Sequence, residues 1–161
     1  MRGVLAGLAV VAVLMAPSAA HAQESEVVTL LRDLVRINTS NPPGNEAQVA
    51  EFLAPRLRAL GFEVDIIQTP TPGKAHLVAR LRAAGPTERP ILLAGHADTV
   101  GVEPELWTLD PFGGVVSGGF LYGRGAFDFK GGLAAFTVAA MRLARSGAPL
   151  KRDVILLAEA R

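Results

Sequence analysis

An α/β fold, with a mixed sheet sandwiched by helices, is predicted by three observations. Residues 24–37 and 46–60 carry apolar side chains at helical spacing. Residues 62–68, 76–82, 91–100 and 152–159 alternate or run apolar over strand lengths, and a further helical stretch, 131–146, lies between the last two of them. Two helices, several strands, a helix and a strand in that order indicate sheet and helix layers around one core.

Each element has a local cause. In 24–37, Val27, Val28, Leu30, Leu31, Leu34, Val35 and Ile37 form a stripe between Glu24, Glu26, Arg32, Asp33 and Arg36, and the turn formers of 38–45 (NTSNPPGN) stop the helix. Asn38-Thr39-Ser40 also fits a glycosylation acceptor; in this setting it reads as a turn. The second helix puts Val49, Phe52, Leu53, Leu57 and Leu60 on one face, with Gly61 as its cap. Residues 62–68 alternate and are rich in β-branched side chains, 69–74 (TPTPGK) turn, and 76–82 (HLVARLR) alternate as a half-exposed strand. After the polar turn 83–90, the unbroken apolar run of 91–100 (ILLAGHADTV) suggests a strand buried on both faces. Residues 102–116 are loop, 120–122 a short apolar step, and 131–146 a helix with Leu133, Phe136, Ala139, Ala140 and Leu143 as its buried face. Residues 152–159 (RDVILLAE) read as a last buried strand. No repeat or low-complexity segment interrupts the order.

The 161 residues suit one domain with a proper core. Residues 1–22 are set apart: Arg2 gives a positive start, 4–15 are almost wholly apolar, and Ala20-His21-Ala22 offers small residues at the positions a signal peptidase reads. The expected organisation is a signal peptide, 1–22, and a domain, 23–161. Its location would be periplasmic or secreted, without stable membrane association after cleavage, because the apolar run is shorter than the roughly 20 residues that span a bilayer. The leader takes one of the 16 basic residues and none of the 15 acidic ones, leaving 15 of each sign. That balance argues against nucleic acid or an anionic membrane as a partner. The absence of cysteine excludes thiolate ligands, a cysteine nucleophile and disulfides.

The chemistry gathers at two places. The strand 91–100 delivers His96 and Asp98 to its carboxyl end, two residues apart and so on the same side of an extended backbone. Neutral imidazole binds zinc-like ions best when its other nitrogen is held by an acceptor, the role open to Asp98. A structural hydrogen-bonded pair explains the same two residues. Asp128, inside Gly123-Arg124-Gly125-Ala126-Phe127-Asp128-Phe129-Lys130-Gly131-Gly132, stands at a helix start, where a carboxylate can bridge cations or simply cap the helix. Phosphate-loop, dinucleotide and G-x-S-x-G patterns are not met. His76, in an alternating strand, reads as surface or structural.

GHADTV, the loop Trp107-Thr108-Leu109-Asp110-Pro111-Phe112 and the 123–132 cluster together resemble the metallopeptidase family of acetylornithine deacetylase, succinyl-diaminopimelate desuccinylase and carboxypeptidase G; the Asn-Pro-Pro-Gly-x-Glu of 41–46 is similar to that family's first loop. The resemblance implies a zinc-exopeptidase-like catalytic domain with two zinc ions, cobalt or manganese substituting. It would hydrolyse an amide or peptide bond in a small peptide or N-acyl amino acid, with metal-activated water as the nucleophile. It implies His96 as a metal ligand, Asp98 as the catalytic residue that orients His96, Asp128 as the bridging ligand, a cis bond between Asp128 and Phe129, and a dimer in a full-length relative.

The resemblance also departs from its pattern. In that family the strand matching 153–159 runs into Asp-Glu-Glu, a general base followed by a metal ligand. Here Leu157-Ala158-Glu159-Ala160-Arg161 puts arginine where that aspartate is expected, and Glu159 falls too early to serve as the base. The later acidic and histidine ligands and the inserted domain find no counterpart. The expectation is therefore an incomplete, truncated catalytic domain, inactive by itself; the other reading is a non-catalytic α/β fragment with a residual metal site.

Overall fold

The computed structural model describes residues 25–161, so the leader and its cleavage point lie outside the described residues. Helix α1, Glu26–Arg36, starts where the Ser25 hydroxyl accepts from the Val28 amide at 3.3 Å, and it buries Leu30, Leu34 and Val35. A two-residue strand, β1 (Ser40–Asn41), leads to α2, Glu46–Arg58, which buries Val49, Leu53 and Leu57. The helix closes at Ala59, and the left-handed residue that turns the chain is Gly61, at φ 83°.

The main sheet has four strands: β2 (Glu63–Gln68), β3 (Ala75–Leu81), β4 (Ile91–His96) and β8 (Val154–Glu159). Their order is β2-β3-β8-β4; β4 and β8 run parallel, and the other pairs are antiparallel. Between β4 and β8 the chain forms β5 (Thr99–Val100), which pairs in parallel with β1; a hairpin of β6 (Val115–Ser117) and β7 (Phe120–Tyr122); and helix α3 (Lys130–Ser146). Gly147, at φ 63°, ends α3.

The expected α/β class and mixed sheet are present. Alternate residues of the central strands, Leu77 and Ala79 of β3 and Leu156 and Ala158 of β8, are buried in one cluster with Leu53 and Leu57 of α2 and with Leu133, Val138 and Met141 of α3. The described helices thus cover one face of the sheet, with α1 packed on α3. None of them is long and apolar enough to cross a membrane.

Three sequence-based expectations change. Residues 91–100 are not one strand buried on both faces. β4 is an edge strand, with Ile91 42% and Leu92 56% exposed, because only β8 pairs with it and α3 covers only one of its faces. The last strand lies inside the sheet, between β3 and β4, and its residues alternate between buried and half-buried. On α3 the buried stripe is Leu133, Ala134, Thr137, Val138, Ala140 and Met141; of the expected face Leu133 and Ala140 are buried, Ala139 is exposed, and Phe136 and Leu143 lie at the margin. The stripe follows the sheet and α1 together, and so sits rotated from the one that hydropathy alone selects.

Candidate metal centre

Two parallel strands, β4 and β8, end side by side with His96 opposite Glu159, and α3 begins just beyond them. Crevices of this kind, outside the carboxyl ends of parallel strands, are where α/β sheets place ligands. His96 reaches the crevice because its neighbour Gly95 lets Phe129 in: a Cβ at Gly95 would lie 2.7 Å from the Phe129 ring. That ring stacks on the His96 imidazole at 5.8 Å between centroids.

The imidazole is held at both nitrogens. Nδ1 lies 3.0 Å from Asp98 Oδ1 and 3.2 Å from the Asp98 carbonyl, and Nε2 lies 3.0 Å from Asp128 Oδ1. With Nδ1–H donating to Asp98, Nε2 turns a lone pair toward a carboxylate oxygen. Two electron pairs face each other there unless a cation, proton or metal, occupies that edge. The three sequence-selected residues are therefore brought together, on the atoms their chemistry requires. His96 and Asp98 keep 16% of their side-chain surface and Asp128 keeps 80%, so Asp128 is the solvent-facing member of the three. Asp128 is not a helix cap: Phe129 holds the cap position of α3, and no side chain bonds there. The peptide bond from Asp128 to Phe129 is cis.

Sequence reasoning missed what lies beneath. Lys130 is fully buried, its ammonium donating to the Leu34 carbonyl at 3.0 Å and the Ile37 carbonyl at 2.6 Å, both at the carboxyl end of α1. Burial lowers its pKa to about 8, against the pull of Glu46 and Asp98. Glu46 is 1% exposed, neither of its carboxylate oxygens meets another residue's donor, and burial raises its pKa. The Thr39 hydroxyl donates to the Ala97 carbonyl at 2.7 Å, joining the first loop to the strand end. Asn41 Nδ2 donates to the Arg161 carbonyl at 2.8 Å, and Lys74 Nζ donates to the same oxygen. The one sequence signal for this floor is the position of Glu46 two residues after the turn Asn41-Pro42-Pro43-Gly44.

His76 is structural, its Nδ1 accepting from the Ala160 amide at 3.1 Å. Glu159 ends β8 opposite His96 and pairs with Arg161 at 3.6 Å. Among the described residues no group of three or more His, Cys, Asp or Glu side chains converges to hold an ion. His96 and Asp128 suit a zinc-like ion in kind, as imidazole and carboxylate donors, and are two of the four positions of a tetrahedral shell.

Residues 92–161, which hold all three side chains, match the model of peptidase family M20/M25/M40. Over those residues the chain is similar to that family. A succinyl-diaminopimelate desuccinylase from Methylobacterium sp. (strain 4-46) is 43% identical over 71% of this chain and 28% of that protein. The desuccinylase of Methylocella silvestris is 39% identical over 81% of this chain and 33% of its own length. Among solved structures, an M20 family metallo-carboxypeptidase from Sulfolobus solfataricus superposes with a TM-score of 0.72 at 25% identity, over 84% of this chain and 30% of that one. Human carnosine dipeptidase 1 gives 0.71 at 25% identity, over 83% and 31%. The chain thus spans about a third or less of the length of these four proteins.

Proposed function

We propose that these residues are part of a metal-dependent hydrolase that cleaves an amide or peptide bond in a small peptide or N-acyl amino acid. One observation carries the reading: the His96 imidazole lies between two carboxylates, with Nε2 facing Asp128 Oδ1 at 3.0 Å at the mouth of two parallel strands. His96 and Asp128 would hold metal, and Asp98 would fix the tautomer and plane of His96. When bound there, a zinc pair, or cobalt or manganese in its place, would supply Lewis acidity toward the scissile carbonyl and would lower the pKa of bound water. This chain's own contribution is orientation. Phe129 fixes one face of the imidazole, and Asp98, with Nδ1, leaves Nε2 as the binding edge.

The relatives' names support the reaction class, and the two-donor set supports a further proposal, that the 161 residues alone bind zinc weakly and do not turn over. Dimer formation belongs, in this reading, to a longer protein. The signal-like residues 1–22 support export to the periplasm or beyond. A non-catalytic fragment with a residual metal site is the second reading, favoured by the same count of two donors.

Zinc titration by calorimetry tests the centre. The full chain is expected to bind zinc weakly; His96→Ala should abolish binding, and Asp98→Asn should weaken it by about 10- to 100-fold. Zinc binding that is unchanged in His96→Ala would sink the metal reading. Chelator-sensitive hydrolysis of dipeptides or N-acyl amino acids by the same preparation would overturn the statement that the chain alone is inactive.

A further inference from the structure

Residues 159–161 are fastened one after another. The Glu159 carbonyl accepts from the Ala97 amide at 2.8 Å, and the Ala160 amide donates to His76 Nδ1 at 3.1 Å. The Arg161 carbonyl accepts from Asn41 Nδ2 at 2.8 Å and from Lys74 Nζ, which also donates to Asn41 Oδ1 at 3.0 Å. Ala97 follows β4, His76 lies in β3 and Asn41 in β1, so three separate parts of the fold hold the end of β8 in place.

With its backbone fixed there, Arg161 is placed by a second contact as well. Its Nε lies 3.6 Å from Glu159 Oε2, and Glu159 faces His96 on a neighbouring strand, a spacing of about 4.8 Å. Arg161 borders both hollows that flank His96. One is the crevice of about 450 Å³ that holds Asp98 and Asp128; the other, about 330 Å³, is shared with Phe129 and Glu159. The crevice thus has two arginines on its walls facing its two carboxylates. Arg124 lies over the Trp107 ring, 5.2 Å from its centroid, whereas Arg161 stands on the β8 side, beside the strand that carries the imidazole.

A guanidinium keeps its proton at any pH at which the protein is folded, so this charge is permanent. It favours two carboxylates lying close together and disfavours the entry of another cation, through an interaction that salt screens.

We propose that Arg161 is a built-in counter-cation of the crevice: held there by the fastened segment 159–161, it opposes the binding of a metal ion at His96 and Asp128. The inference rests on the proposed metal reading, since it concerns the same edge of the imidazole. Weak zinc binding is then a matter of charge as well as of the number of donors.

Zinc calorimetry on the full chain at low salt tests this. Arg161→Ala should bind zinc about 3- to 10-fold more tightly than the wild type, and the gap should fall below about twofold at about 0.5 M salt. Arg161→Lys, which keeps the charge, should stay within about twofold of the wild type. Arg89→Ala removes the same charge just before β4, whose six residues put it more than about 16 Å from His96, and should also stay within about twofold. Circular dichroism shows that each variant is folded. Equal or weaker binding by Arg161→Ala, or an equal gain in Arg161→Lys or Arg89→Ala, would overturn the proposal. Adding His96→Ala separates the two readings. Without His96-dependent zinc binding in either the wild type or Arg161→Ala, the metal reading falls and this inference with it; His96-dependent binding without the gain sinks this inference alone.

Discussion

The sheet has two ends of opposite character. Along its middle, Leu77, Ala79, Leu156 and Ala158 meet α2 and α3 in an apolar layer that needs no partner more specific than a close fit. At the carboxyl ends of β4 and β8, charged groups lie at the surface, over Lys130 and Glu46 buried beneath. The middle is stabilised by area removed from water, and the end by carbonyls and carboxylates placed around cations. What the difference teaches is that the site does not share the core's tolerance: a small shift in the core costs packing, whereas the same shift at the strand ends leaves a charge uncompensated.

The contrast is tested most strongly in the core. Leu156→Ala, at a fully buried position of β8, is expected to cost about 2–5 kcal/mol, seen as a lower urea midpoint. Lys130 comes next, through pH. Its pKa in the fold is about 8, below its ordinary 10.5, so the folded state releases the proton first and the unfolded state binds more protons between those values. Stability should therefore rise with pH from about 8 to about 10.5, by no more than about 3 kcal/mol, in metal-free buffer. Lys130→Met should flatten that slope whatever it does to stability at neutral pH; a slope unchanged in Lys130→Met would show that another group titrates. The smallest effect belongs to Leu92→Ala. This leucine shares the sheet with Leu156 but is 56% exposed, and it should change the urea midpoint by an amount equivalent to about 0.5 kcal/mol or less.

That last pair also shows what hydropathy can report. The apolar run of β4 reads as doubly buried because periodicity records side-chain character and not the presence of a neighbour; Leu92 and Leu156 are alike in sequence and opposite in exposure. His96, Asp98 and Asp128 were legible because their spacing is local and the glycines around them mark close approach. Lys130 and Glu46 were not, since each is buried by segments far along the chain: the carbonyls that hold Lys130 are 96 and 93 residues away. A lysine two residues beyond an aspartate has no pattern of its own that announces such a fate. Nor does Arg124, whose place beside Trp107 depends on the fold of the loop between them.

The bond from Thr39 to the Ala97 carbonyl has a consequence for the order in which the molecule assembles. Asp98 and Asp128 lie 2 and 32 residues from His96, but the Thr39 bond closes a separation of 58, and the bond from Asn41 to Arg161 closes one of 120. Entropy lost on closure grows with the segment enclosed, so local pairs form cheaply and distant ones gain only once the intervening chain is already compact. On a growing chain the His96–Asp98 contact can form early, the Asp128 edge follows when α3 docks, and the floor supplied by the first loop is sealed last. The centre would then assemble from its local pair outward, complete only when nearly all of the described chain has found its place.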